Sequence, residues 1–446
     1  MIDQQRYTES IEALDALYHG PIMPATEVGL RRVQYLLRRL GDPQNTFRSI
    51  HVAGSSGKGS TTSMIGSILQ AAGFRTGYFR SPHLYDYTER INVDGVDIPR
   101  AHWVRHLDRV WPIVQDMRDD ALPDYDLGRP SFFEVMFVLM ALHFDESGVE
   151  WAAVETGLGG RLDATNSLLP DVAVVTDISL EHTRVLGNTV AAIATEKAAI
   201  IKPRTNAVTA ARDPEALAVI EARARAVAAP LSRVGQDIQV QIVREDLMGQ
   251  DLRFSGDLAL EARLGLPGAF QARNAATAVA AMVALRKRGV DVSDEAIRAG
   301  LLSVSIPCRL EIVANEPLTI FDGAHHPGAI DELVASVQRM VPGRRLVTLF
   351  AAMSDKDVGR MARRLAEITD TVVLTRAPGT ERAAPAAKLA EEFAGLGVEI
   401  IVEDDALAAW DHARAMTEPD DVLLVTGSMY LVGFLRHALV EEPVSP

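Results

Sequence analysis

Apolar residues follow two patterns along this chain. Short unbroken runs at 50–53, 152–154, 172–176 and 207–210 read as strands covered on both faces, the habit of a parallel sheet. A shorter run at 76–79 is a further strand candidate. Between such runs, apolar positions return every three or four residues. Met64, Ile65, Ile68, Leu69 and Ala72 form one such stripe and predict a helix that begins near Ser60. Segments 189–201 and 273–287 also read as helical. From about 234 to 266 the period becomes two, with Ile238, Val240 and Ile242 in step, which predicts a small antiparallel patch.

A second series begins after Ile306-Pro307, with strand-like runs at 318–321, 346–351, 371–374, 398–402 and 422–425, each followed by a helical segment. The expected fold class is therefore α/β. A P-loop mononucleotide-binding domain with a mainly parallel sheet is expected over residues 1–303, and a smaller Rossmann-like C-terminal domain over 304–446. The last residues, 441–446, read as a frayed tail.

Composition narrows the function. The chain has 446 residues, 48% of them hydrophobic, and a formal charge of −15, which speaks against a nucleic-acid footprint. Residues 1–12 are polar and mixed in charge, and no apolar run is long enough to span a bilayer. Cys308 is the one cysteine, which excludes intrachain disulfides and a cysteine-based zinc site. Cytoplasmic residence without membrane association is the expectation.

The candidate chemistry starts at Gly54-Ser55-Ser56-Gly57-Lys58-Gly59-Ser60, which joins the 50–53 strand to the following helix. Glycines let successive N–H groups turn onto phosphate oxygens, Lys58 adds positive charge, and the helix N-terminus adds its dipole. Polar residues at other strand ends extend the site: Glu155 before the block 156–166, Asp177 with Glu181-His182 after it, and Ser81-Pro82-His83. They read as magnesium ligands or as helix caps and arginine partners. Lys197 falls four residues after Ile193 on the apolar stripe of its helix. Desolvation there would lower its pKa and leave an amine able to act as a base, form a Schiff base or take up carbon dioxide; the alternative is a snorkelling side chain. Asp322-Gly323-Ala324-His325-His326-Pro327 and Thr426-Gly427-Ser428 are strand-to-helix turns suited to anions, and Cys308 reads as structural.

Together with Thr88-Glu89-Arg90-Ile91, Phe132-Phe133-Glu134 and Glu196-Lys197-Ala198, these motifs resemble the folylpolyglutamate synthase and dihydrofolate synthase family of the Mur ligase superfamily, over nearly the whole chain. The resemblance implies that Gly54, Ser55, Ser56, Gly57, Lys58, Gly59 and Ser60 hold the ATP phosphates, with Asn274, Arg309 and Asp322 as further nucleotide contacts. It implies that Ser81, Glu155 and His182 bind Mg2+, as one ion or two, and that Lys197 becomes N6-carboxylysine through a carbamate derived from carbon dioxide. Lys58, Lys197 and His182 are then the catalytic set, and Arg90, Asp163, His325 and Ser428 the substrate contacts, Asp163 through the pterin and the last two near glutamate. The implied partners are ATP, L-glutamate and a pterin or folate, used by a monomer.

Six positions depart from the family pattern. Ser55 and Ser56 replace Thr and Asn, Glu181 replaces Asp, Ala199 and Cys308 replace glycines, and His326 replaces Asn. The expected reaction joins L-glutamate to dihydropteroate or a reduced folate through an acyl phosphate. A Mur-type ligase acting on another carboxylate and a nucleotide-binding regulator without ligase activity are the alternatives.

Overall fold

The computed structural model describes residues 4–18, 27–118 and 127–439, so the tail expected at 441–446 lies outside the described residues. The chain divides into two compact units. One comprises Met1–Gln241, Leu252–Leu264 and Gln271–Val304, the other Ile242–Asp251, Gly265–Phe270 and Ser305–Pro446.

In the first unit the apolar runs become an eight-stranded sheet: β1 (Arg48–Ala53), β2 (Thr76–Phe79), β3 (Ile91–Val93), β4 (Val96–Asp97), β5 (Trp151–Glu155), β6 (Val172–Val175), β7 (Asn206–Thr209) and β8 (Leu231–Arg233). The strand order is β4-β3-β2-β5-β1-β6-β7-β8. β2, β5, β1, β6, β7 and β8 run parallel, and β3 and β4 form an antiparallel edge. Val52 stands opposite Glu155, and Ala53 opposite Val175. The loops that leave β1, β5 and β6 therefore emerge side by side at the carboxyl edge of the sheet, where parallel α/β sheets take their ligands.

The helix after β1 spans Lys58–Ala71, two residues earlier than the stripe predicted, because Gly57 takes the left-handed N-cap conformation and closes the turn at once. Ala72 is its C-cap and only half-buried, while Thr61 and Thr62 join Met64, Ile65, Ile68 and Leu69 in the interior. The period-two segment forms β9 (Ile238–Asp246), β10 (Gly249–Gly256) and β11 (Leu260–Leu264), ordered β11-β10-β9.

The second unit holds β12 (Glu311–Asn315), β13 (Leu318–Phe321), β14 (Leu346–Phe350), β15 (Thr371–Leu374), β16 (Glu399–Val402) and β17 (Val422–Thr426), in the order β12-β13-β17-β14-β15-β16. All neighbours are parallel except β12 with β13. No described helix is long and apolar enough to cross a membrane.

A buried charged pair joins two helices of the first unit. Arg32, on the Glu27–Arg39 helix, meets Glu134 in the first turn of the Phe132–Glu146 helix through two bonds of 2.9 Å, and a third bond of 2.9 Å reaches the Leu127 carbonyl. Glu134 also closes a capping box with Ser131. Removing one member leaves a buried charge unpaired. Arg32→Ala is thus expected to cost about 3–5 kcal/mol in urea unfolding, and replacing both residues by apolar ones of similar volume to recover most of that loss.

Candidate active site

The loop after β1 is built from positions that tolerate little else. Gly54 has φ +152°, and a Cβ there would lie 1.7 Å from Thr176 Oγ1; at Gly57, with φ +81°, a Cβ would lie 2.3 Å from Asn274 Oδ1. The exit of β6 clamps the turn. Ser55 N–H donates to the Asp177 carbonyl at 2.8 Å, the Thr176 hydroxyl donates to the Ser56 carbonyl at 2.7 Å, and Ser55 Oγ exchanges two 3.1 Å bonds with the Ser179 backbone. The result is a rigid glycine turn at the N-terminus of a 14-residue helix, a fit for phosphate.

Two amines converge on that loop. Lys58 Nζ donates to the Gly54 carbonyl at 2.9 Å, and Lys197 Nζ donates to the same oxygen at 2.8 Å. Lys197 is buried in the Val190–Ala198 helix, and Glu181 Oε1 lies 2.7 Å from its Nζ. Its head is therefore held inside by the loop and a carboxylate, which removes the snorkelling alternative. Burial, with help from Lys58, pushes the Lys197 ammonium below its ordinary pKa, against the pull of Glu181. Burial pushes the Glu181 carboxyl upward, but the Lys197 and Lys58 charges outweigh it and hold the group low.

The carboxylate of Glu155, buried at the end of β5, accepts the Ser81 N–H at 3.1 Å. A Cβ on Gly59 would stand 3.5 Å from Glu155 Oε2, so this carboxylate borders the first turn after the phosphate loop. A buried oxygen donor at that spot fits a divalent magnesium-like ion. His182 precedes the short Thr183–Leu186 helix in a left-handed conformation, its side chain 59% exposed and its Nε2 4.0 Å from Glu181 Oε2. Asp177 takes the arginine-partner role instead, paired with Arg212 at 2.5 Å.

Other expected residues have local duties. Asn274 borders Gly57 and donates to Gln271 at 2.9 Å. Arg90 Nε donates to His83 Nδ1 at 2.9 Å, its guanidinium 5.3 Å from the centre of the Phe132 ring, while the His83 ring lies 4.3 Å from that of Tyr87. Burial, then Arg90, pushes His83 down to about 3. Asp163 is buried and accepts the backbone N–H groups of Leu158 at 2.8 Å and Thr165 at 3.0 Å, so it fastens the block after β5.

In the second unit, Asp322 accepts the N–H groups of Leu310 and Ala324, and Arg309 lies against Met429 Sδ at 3.4 Å. His325 Nδ1 donates to the Gly323 carbonyl at 2.9 Å, and burial pushes the ring down to about 4. Ser428 Oγ accepts from Tyr430 N–H at 3.2 Å, at the start of the Met429–Leu439 helix.

Two departures from the family pattern, His326 and Ala199, have local explanations. Asn is a common N-cap, and His326 supplies the same acceptor through Nδ1, 3.3 Å from Ala329 N–H. Ala199 ends its helix in ordinary right-handed geometry and needs no glycine. Cys308 does occupy a glycine-like backbone, with φ +56°. Sequence reasoning missed the clamp at Thr176 and a second, half-buried amine, Lys202. Its Nζ donates to the Asn166 and Leu168 carbonyls at 2.5 Å each, and burial pushes it down to about 8. Neither residue stands in a motif that would announce it.

Comparisons with known proteins bear on the family and the fold. The Mur ligase middle domain family matches residues 131–282, and the Mur ligase glutamate ligase domain family matches residues 308–429. Fold, loop and both matches define an ATP-dependent ligase of the Mur type. A dihydrofolate synthase/folylpolyglutamate synthase of Bacillus subtilis is 34% identical over 94% of this chain and 97% of its own. A Mycobacterium tuberculosis folylpolyglutamate synthase complexed with ADP superposes with a TM-score of 0.88 at 30% identity, covering 98% of this chain and 99% of its own. A Yersinia pestis bifunctional folylpolyglutamate synthase/dihydrofolate synthase complexed with AMPPNP and Mn ion gives 0.80 at 30% identity, covering 97% and 98%. The chain belongs to the folylpolyglutamate synthase/dihydrofolate synthase family.

Two measurements check the geometry. Gly57→Ala forces both a left-handed alanine and a clash with Asn274, and is expected to weaken ADP binding at least tenfold by calorimetry. Cys308 is buried, and burial raises its thiol pKa, so Ellman's reagent is expected to label it only after unfolding in urea.

Proposed function

We propose that this ligase joins the amino group of L-glutamate to the carboxylate of dihydropteroate or of a reduced folate, with or without glutamates already attached. The observation that carries the site assignment is the meeting of Lys58 and Lys197 on one carbonyl of the phosphate loop, with Glu181 beside them and Glu155 bordering Gly59. ATP is the phosphoryl donor. Its γ-phosphoryl passes to the acceptor carboxylate, the unprotonated amine attacks the acyl phosphate, and phosphate leaves as the amide forms. That sequence asks for positioning and charge stabilisation more than for a protein nucleophile.

In this reading the N–H groups of residues 54–60 bind the phosphates, and Lys58 swings from the Gly54 carbonyl to the transferred phosphoryl group. Asn274, Arg309 and Asp322 contact the nucleotide. Ser81, Glu155 and His182 hold the divalent ion, which supplies positive charge to the polyphosphate. Arg90, with the aromatic rings around it, and Asp163 serve the pterin end; His325 and Ser428 serve glutamate. The bacterial relatives' names and their nucleotide complexes support the substrate class.

Lys197 takes up carbon dioxide: its neutral amine adds to the carbon, an N–H bond breaks, and the proton passes to solvent, leaving an N-carboxylate. Only its neutral amine can do so, and burial enlarges that fraction. Because Glu181 lies 2.7 Å from Nζ, the new negative charge requires this carboxylate to turn aside or share a cation. The protein acts as a cytoplasmic monomer on small molecules, away from nucleic acid and membranes; net charge −15 is in keeping with this.

ADP release measured across dihydropteroate, a reduced folate monoglutamate and a UDP-muramoyl acceptor is expected to respond to the first two only, and only with L-glutamate present. Turnover on the muramoyl substrate alone would overturn the proposal. Lys197→Ala is expected to lower kcat by about 10² or more, with partial recovery on adding short-chain carboxylic acids, whereas an unimpaired variant would remove Lys197 from the mechanism.

A further inference from the structure

Three histidines outside the site above lie together in the first unit. His102 and His106 are four residues apart on the Arg100–Arg118 helix and so share a face; His143 is in the last turn of the Phe132–Glu146 helix. One ring nitrogen from each lies within 4.8 Å of the other two, the single such metal-capable group among the described residues. Ring centres are 5.5–6.3 Å apart.

Packing alone explains this arrangement poorly. His106 and His143 are buried, yet Nδ1 of all three rings and Nε2 of His106 are buried without a hydrogen-bond partner. Four such nitrogens in one spot are costly, and buried polar atoms almost always find a partner. Arg105 and Arg109 add positive charge near His106, and Glu146 opposes it with Oε2 3.5 Å from His106 Nε2. Glu146, which also pairs with Arg105, thus stands behind one nitrogen of His106, and a carboxylate so placed is the usual support for a metal-binding histidine.

We propose that His102, His106 and His143 bind one zinc-class divalent ion that clasps the Arg100–Arg118 helix to the Phe132–Glu146 helix, with Glu146 orienting His106 and water completing the coordination. Tetrahedral Zn–N bonds of about 2.0–2.1 Å place ligand nitrogens about 3.4 Å apart, within reach of modest ring rotations from the present spacing. The site is separate from the ligase centre. His143 lies eleven residues beyond Phe132 on one helix, or about 16 Å along its axis.

The test uses the full chain, purified without a polyhistidine tag, loaded with Zn(II) and passed through a desalting column. Metal analysis is expected to find one zinc per wild-type chain beyond the content of His102→Gln and His143→Gln, each binding at least tenfold more weakly. Glu146→Gln is expected to weaken binding about tenfold. Co(II) should give a visible d–d band in the wild type that both histidine variants lose, and Zn(II) should raise the wild-type Tm by several degrees and theirs by none. Equal zinc content and equal Co(II) spectra in wild type and variants would overturn the proposal, as would no zinc retained by a folded wild type. Neither result depends on catalysis, so the ligase reading stands or falls separately.

Discussion

The carbonyl of Gly54 sets the terms for the candidate centre. Two lysines from different helices donate to this one oxygen, and like charges brought so close in a buried place repel unless something compensates. Glu181 compensates, and its own low pKa reflects both cations. The loop can present that carbonyl inward only because Gly54 has no side chain to meet Thr176. Glycine conformation, lysine burial and carboxylate placement thus form one linked constraint, and a change at any of them is felt by the other two.

Much of this was legible in the sequence because the signals were local. Continuous apolar runs marked the inner parallel strands of both sheets, and the period-two segment marked β9 to β11, whereas β3, β4, β8 and β12, at or beside the sheet edges, went unmarked. The helix of residues 132–146 offered no such sign. Apart from Phe133, its residues from Phe132 to Phe144 are buried, so no polar face marks a period of 3.6. The Lys197 stripe pointed to a buried amine, but its partners come from segments 16 and 143 residues away, Glu181 and Gly54, and no spacing rule joins them. At Asp177 two readings stood side by side, ligand or arginine partner, and only the fold chooses, because Arg212 lies 35 residues away in sequence and pairs with it.

The departures from the family pattern sort by what each position asks of its residue. Where the demand is for one acceptor atom, chemistry can change, and the imidazole of His326 does the work of an amide. Where the demand is for reach, Glu181 spans to Lys197 with a side chain one methylene longer than aspartate.

Position 308 is different in kind. Its backbone sits in the left-handed region, where glycine alone escapes the clash of a β-carbon with the next carbonyl, yet its side chain is sealed from solvent. Sequence drift there is squeezed from two directions, toward glycine by the main chain and toward a small oily group by the space around it. A catalogue of what nature accepts at this site would therefore record the shape of a bend, and would carry no information about which acid the enzyme extends.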